Sequence, residues 1–291
     1  MFKGSNVALV TPMNEDGSVN ETALFKLIDW HIEQGTSSII AMGTTGESAT
    51  LNEQEHCDVL KKVCQYANKR IPIMAGTGAN STTEAIALTQ CAKDAGADAC
   101  LLVTPYYNKP TQEGLYLHHK AVASAVDIPQ FLYNVPSRTA CDMLPETIAR
   151  LAKIKNIMGV KEATGKMERL TEILANTADD FIILSGDDAT TRAFLLTGGQ
   201  GSISVTANIA PALMQQMCQA ALAGEQAKSA AIDQKLSALH QTLFLESNPI
   251  PVKWALNTMG LIPTGIRLPL TPLAKPYQAP LKAAMQQANA L

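Results

Sequence analysis

Eight short runs of aliphatic and β-branched residues, each followed by a segment with helical apolar spacing, limit what this chain can fold into. The runs fall at 6–11, 38–42, 71–76, 99–104, 130–134, 157–161, 181–185 and 202–205. The helical segments fall at 21–34, 53–68, 82–95, 112–125, 146–152, 167–176, 190–197 and 211–223. Asn52 with Glu55 forms a capping box, Pro145–Glu146 suits a first helical turn, and Gly35, Gly96 and Gly198–Gly199 suit helix stops. Runs such as Phe181–Ile182–Ile183–Leu184 are apolar throughout, as parallel strands buried on both faces require. Eight strand–helix units predict an α/β fold, a (β/α)8 (TIM) barrel over residues 1–224. The alternative, an open doubly wound sheet, normally carries a Gly-rich turn after its first strand, but here that strand ends in Thr11–Pro12–Met13. Beyond Gly224 the strands cease. Helical segments at 225–246, 251–259 and 279–290, separated by Pro-rich linkers, predict a small C-terminal helical domain, 225–291.

Composition narrows the function. A net charge of −3 argues against a general nucleic-acid binder. No apolar run approaches the roughly 20 residues of a membrane span. The opening Met1–Phe2–Lys3–Gly4–Ser5 lacks the apolar stretch of a signal peptide, so the expected location is the cytoplasm. The six cysteines include no Cys-x-x-Cys pair and no zinc-ligand spacing, and they are expected to be reduced thiols. His118 and His119, adjacent on a helix, cannot chelate one metal well and are read as helix-surface residues. Neither a metal nor a cofactor is expected.

In such a barrel, residues just past the C-terminal ends of the strands converge on one mouth. Those positions are Gly43-Thr44-Thr45-Gly46-Glu47-Ser48, Pro105-Tyr106-Tyr107-Asn108, Tyr133-Asn134-Val135-Pro136-Ser137-Arg138-Thr139 and Lys161. Lys161 is either a solvated charge past a strand or a half-buried amine. An ordinary lysine titrates near 10.4, leaving on the order of one amine in 2,500 neutral at pH 7. Burial can bring a lysine to roughly 7–8, at a cost of about 4 kcal/mol, and such an amine attacks carbonyls to form a Schiff base. Tyr133 is placed as a proton shuttle, or simply packs at a strand end. Thr44 can bond the phenol, while the amides of Thr44-Thr45-Gly46 with the Thr45 hydroxyl suit a small carboxylate. The same turn also reads as an ordinary strand-to-helix connection. Arg138 can fork onto a second carboxylate, or sit on a surface loop.

These motifs, with Gly159-Val160-Lys161-Glu162-Ala163, Leu184-Ser185-Gly186-Asp187-Asp188, Ser202-Ile203-Ser204-Val205-Thr206 and Asn248-Pro249-Ile250-Pro251-Val252-Lys253, resemble the dihydrodipicolinate synthase family over essentially the whole chain. These synthases belong to the pyruvate-dependent Schiff-base aldolases. The resemblance implies a lyase that condenses pyruvate, held on Lys161, with L-aspartate 4-semialdehyde, at the first committed step of diaminopimelate and lysine biosynthesis. It implies a Thr44–Tyr133–Tyr107 proton relay with Tyr107 supplied by a neighbouring subunit, Arg138 at the semialdehyde carboxylate, and Gly186 and Ile203 lining the pocket. It also implies a homotetramer, a dimer of dimers, inhibited by L-lysine at positions matching Ser48, Ala49, His56, Asn80, Glu84 and Tyr106. Glu53 departs from the inhibited members, which carry histidine there. The rivals are another pyruvate-lysine aldolase, of N-acetylneuraminate lyase or keto-deoxy sugar acid type, and a silent pyruvate or lysine sensor. Arg138 in its Pro-Ser-Arg-Thr context favours a short carboxylated aldehyde over a sugar.

Overall fold

A computed structural model describes residues 1–291. Its strands are β1 (Gly4–Ala8), β2 (Ser38–Ala41), β3 (Ile73–Gly76), β4 (Ala99–Val103), β5 (Gln130–Asn134), β6 (Ile157–Glu162), β7 (Ile182–Ser185) and β8 (Gly201–Ser204). They pair in parallel in chain order, and β8 returns to β1 with Gly4 opposite Gly201 and Val7 opposite Ser204, closing the barrel. Around it lie α1 (Glu21–Glu33), α2 (Glu53–Ala67), α3 (Thr82–Ala95), α4 (Gln112–Ala125), the single turn α5 (Pro136–Thr139), α6 (Pro145–Leu151), α7 (Met167–Asn176), α8 (Thr191–Leu196) and α9 (Pro211–Leu222). Three more helices follow: α10 (Gln226–Thr242), α11 (Ile250–Thr258) and α12 (Lys275–Gln287). No helix is long and apolar enough to cross a membrane.

Local chemistry explains the element ends. Asn20, Asn52, Ser81 and Thr111 cap α1 to α4, and Asn52 with Glu55 completes the capping box at α2. The strand expected at 71–76 begins at Ile73, because Pro72 accepts a bond from Ile39 but has no N–H to donate. The helix expected at 279–290 begins at Lys275, since Pro276 sits in the first turn, where a missing N–H is harmless.

The barrel interior holds Phe2, Ile40, Met74, Leu101, Phe131, Leu184 and Ile203 among its buried residues. Phe131 meets Phe2 edge-on, with ring centroids 5.5 Å apart. Gly159 makes room for that ring, because a Cβ there would lie 2.6 Å from it and 2.2 Å from the Ile182 carbonyl oxygen. A larger core lies between strands and helices and runs on into α10, α11 and α12.

Two ion pairs fasten the C-terminal region to the turn after β2 and to the start of α2. Glu47, held at φ 58° and fully buried, pairs with buried Lys253 of α11 and accepts from the Arg267 amide at 3.2 Å. Glu55 receives a two-pronged contact from Arg267 at 2.7 and 2.9 Å. Burial holds the Lys253 amine below its ordinary value, against the pull of Glu47.

Two expectations are corrected. Cys57 and Cys91 form a disulfide between α2 and α3, their Cα atoms 6.1 Å apart, whereas all six cysteines were expected reduced. Thirty-four residues separate them, so only the packing of the two helices brings them together. Cys64, Cys100, Cys141 and Cys218 are free, and burial pushes Cys100 and Cys218 up to about 12. His118 and His119 are buried rather than on the surface, because α4 is flanked by both α3 and α6. His118 Nδ1 lies 2.9 Å from Thr82 Oγ1, and burial lowers the titration of both rings.

Candidate active site

Parallel pairing sets the centre of the mouth. Tyr133 on β5 is the register partner of Lys161 on β6, so both side chains leave the same face of neighbouring strands. Lys161 is 7% exposed, and its Nζ lies 4.2 Å from the centroid of the Tyr133 ring. Of the two buried lysines, Lys253 has a carboxylate partner and Lys161 has the phenol ring. Alternation along β6 turns Glu162 the other way, where it accepts from Asn134 Nδ2 at 3.1 Å and from the Thr164 amide at 2.8 Å. Burial raises the Glu162 carboxyl above its ordinary value.

Lys161 and Tyr133 open into a cavity of about 790 Å³ that Thr44, Thr45, Arg138, Gly186 and Ile203 also line. The backbone amides of Thr44 and Thr45 make no hydrogen bond within the chain, so the turn offers two free donors beside the Thr45 hydroxyl. Gly186 packs directly on the lysine: a Cβ at this position would stand 2.8 Å from Lys161 Cε and 2.6 Å from Ala163 Cβ. Arg138 projects from the α5 turn, and its Nη2 donates to the Asn248 carbonyl at 3.3 Å. Tyr107 is not brought in. It is 88% exposed, at φ 73°, and borders a separate surface recess with Tyr106 and Arg138.

A second cavity, of about 250 Å³, gathers Ser48, Ala49, Glu53, His56, Glu84 and Tyr106. Asn80 does not line it but donates to the Tyr106 carbonyl at 3.3 Å. His56 Nε2 lies 2.9 Å from the Gly76 carbonyl oxygen, and burial lowers the titration of its ring. Thr44, Val135 and Arg138 line both cavities.

Reading the sequence alone missed one wall of the larger cavity. Phe244, Leu245, Glu246, Ser247 and Asn248, between α10 and α11, fold over the mouth from far along the chain. The helix expected at 225–246 ends at Thr242, so Phe244, Leu245 and Glu246 leave it ahead of the Pro-rich linker, and nothing local in the stretch predicts where it docks. Asp187, beside Gly186, also lines the cavity.

Fold and site together define a parallel-barrel enzyme whose cavity, at the C-terminal ends of the strands, is built around a buried amine and a phenol. Residues 1–288 match the model of the "Dihydrodipicolinate synthetase family". The chain is 62% identical over 289 residues to the 4-hydroxy-tetrahydrodipicolinate synthase of Thioalkalivibrio sulfidiphilus, covering 99% of this chain and 98% of the relative. It is also 62% identical to the synthase of the same name from Methylococcus capsulatus, over all of both chains. Among solved structures, the chloride-inhibited dihydrodipicolinate synthase of Acinetobacter baumannii, complexed with pyruvate, matches with a TM-score of 0.98 at 56% identity over all of both chains. The synthase of Cyanidioschyzon merolae with lysine bound matches at a TM-score of 0.96 and 38% identity, over 100% of this chain and 99% of that one. The chain belongs to the dihydrodipicolinate synthetase family and is, like its relatives, a lyase.

Proposed function

We propose that the chain condenses pyruvate with L-aspartate 4-semialdehyde to give 4-hydroxy-tetrahydrodipicolinate, at the entry to diaminopimelate and lysine biosynthesis. The observation that carries this reading is the buried Lys161 amine, set against Tyr133 and free of any carboxylate partner, in a cavity that also presents the free amides of Thr44 and Thr45 and the Arg138 side chain. The amine adds to the ketone carbon of pyruvate and water leaves, giving an imine. Loss of a methyl proton gives the enamine, whose carbon attacks the aldehyde. The amino group of the semialdehyde then closes onto the imine carbon and releases Lys161.

Tyr133, with Thr44 and with Tyr107 from a second copy, moves the protons. The free amides at Thr44 and Thr45 and the Thr45 hydroxyl hold the pyruvate carboxylate, Arg138 holds that of the semialdehyde, and Gly186 and Ile203 line the pocket. The pyruvate complex of the Acinetobacter relative supports the first substrate. L-Lysine acts as inhibitor in the second cavity through Ser48, Ala49, Glu53, His56, Glu84 and Tyr106, with Asn80 beside it on the Tyr106 carbonyl. The wall shared by Thr44, Val135 and Arg138 supports that coupling, as does the lysine-bound relative. The working assembly is a homotetramer in the cytoplasm, with residues 1–224 carrying the chemistry and 225–291 forming a helical domain.

The test is borohydride reduction in the presence of pyruvate, followed by peptide mass mapping. Lys161 is expected to carry the reduced adduct; an unmodified Lys161 overturns the reading. Initial rates with aspartate semialdehyde and with sugar aldehydes test the second substrate, and higher kcat/KM for a sugar aldehyde would replace it.

A further inference from the structure

Asn248 contacts both carboxylate receptors. Its Nδ2 donates to Thr45 Oγ1 at 2.9 Å, while its backbone carbonyl accepts from Arg138 Nη2 at 3.3 Å. It is 5% exposed and lines the cavity from the C-terminal wall. One helical turn along, the buried Lys253–Glu47 pair clamps α11 to the same turn that carries Thr44 and Thr45.

Packing does not account for an asparagine here. Its Oδ1 is buried without a hydrogen-bond partner, so an apolar residue of similar size would be easier to bury. The one bond its side chain makes goes to Thr45. A hydroxyl has a single proton. With Asn248 donating into the Thr45 oxygen, that proton stays free for an incoming carboxylate. The carbonyl steadies Arg138 at the other receptor. We infer that Asn248 is a positioning residue that orients the Thr45 hydroxyl toward the pyruvate carboxylate with its side chain and steadies Arg138 with its backbone. This rests on the function proposed above.

The two halves separate in kinetics. Asn248→Ala removes the side-chain donor and keeps the carbonyl. It is expected to raise KM for pyruvate about tenfold, with kcat within about threefold and KM for the semialdehyde within about twofold of the unsubstituted enzyme. Asn248→Asp is expected to raise KM for pyruvate further, because the Thr45 proton then turns to the new carboxylate and an anion faces an anion. Being the same size as asparagine, it also carries the test should the alanine variant fail to fold. In a Thr45→Val background, Asn248→Ala is expected to change KM for pyruvate by less than about twofold, since its partner is gone. An undiminished effect of Asn248→Ala in that background overturns the role. So do equal rises in both KM values, a fall in kcat alone, or an aspartate variant that behaves like the unsubstituted enzyme. Borohydride trapping of the unsubstituted enzyme with pyruvate keeps the two readings apart. No adduct at Lys161 means that the proposed function fails, whereas an adduct together with any of those overturning results means that only the role of Asn248 fails.

Discussion

Lys253→Met tests how far the C-terminal helices depend on one buried ion pair. The substitution keeps the length and apolar stem of the side chain and removes the charge. The Glu47 side chain is 0% exposed and that of Lys253 5%, so the methionine leaves a carboxylate in the interior without its cation. Stranding a buried charge in this way costs about 3–5 kcal/mol. Glu47 keeps a 3.2 Å bond from the Arg267 amide and a 3.4 Å bond from Thr50 Oγ1, which argues for the lower end, about 3 kcal/mol. At about 2.1 cal/mol/K of unfolding entropy per residue, a chain of 291 residues loses about 5 °C in Tm for that amount. Thermal melting followed by circular dichroism, at one fixed protein concentration, reads the shift. Glu47→Leu with Lys253→Met removes both charges and is expected to recover most of the loss, because two apolar side chains leave nothing unpaired. A single variant melting within about 1 °C of the unsubstituted protein would refute the reasoning. So would a double variant whose loss equals the sum of the two singles.

Tyr133→Phe is expected to leave the barrel folded by circular dichroism and to lower kcat by about 10²-fold, the scale of a positioned acid–base group. Near-normal turnover would remove the phenol from the chemistry. Gly186→Ala places a Cβ 2.8 Å from Lys161 Cε and is expected to slow borohydride trapping of pyruvate by about tenfold or more, with retained helical signal. His31 is fully buried and its imidazole is lowered to about 3 by that burial, so the folded state binds fewer protons than the unfolded one between pH 3 and 6.5. Its contribution is complete above pH 6.5 and is lost as pH falls toward 3. His31→Gln is expected to flatten the dependence of unfolding free energy on pH in that window by up to about 1.4 kcal/mol per pH unit, as read by urea titration at several pH values.

The barrel was legible because parallel strands buried on both faces leave an aliphatic run with no alternation, and eight such runs admit few other closures. The ends were less legible: Pro72 trims β3 and Pro276 extends α12 through N–H groups they lack, which an apolar pattern does not register. Lys161, Tyr133, Thr44, Thr45 and Arg138 could be named as one group because each lies at or just past the C-terminal end of a strand, and strand ends of a barrel share one mouth. What escaped depended on approach across long stretches of chain. Asn248 reaches Thr45 over 203 positions, Cys57 meets Cys91 only because two helices pack side by side, and His118 and His119 are covered from two flanks. Periodicity along one helix carries none of that information.

The late position of the wall at 244–248 bears on how the molecule is made. Translation delivers the last strand, ending at Ser204, some forty residues before Phe244 emerges, and Lys253 and Arg267 come later still. The strands that carry Lys161 and Tyr133 are therefore synthesised well before the segment that closes over them. The segment that walls the cavity, with the ion pairs that tie it down, is thus among the last parts of this polypeptide to be made.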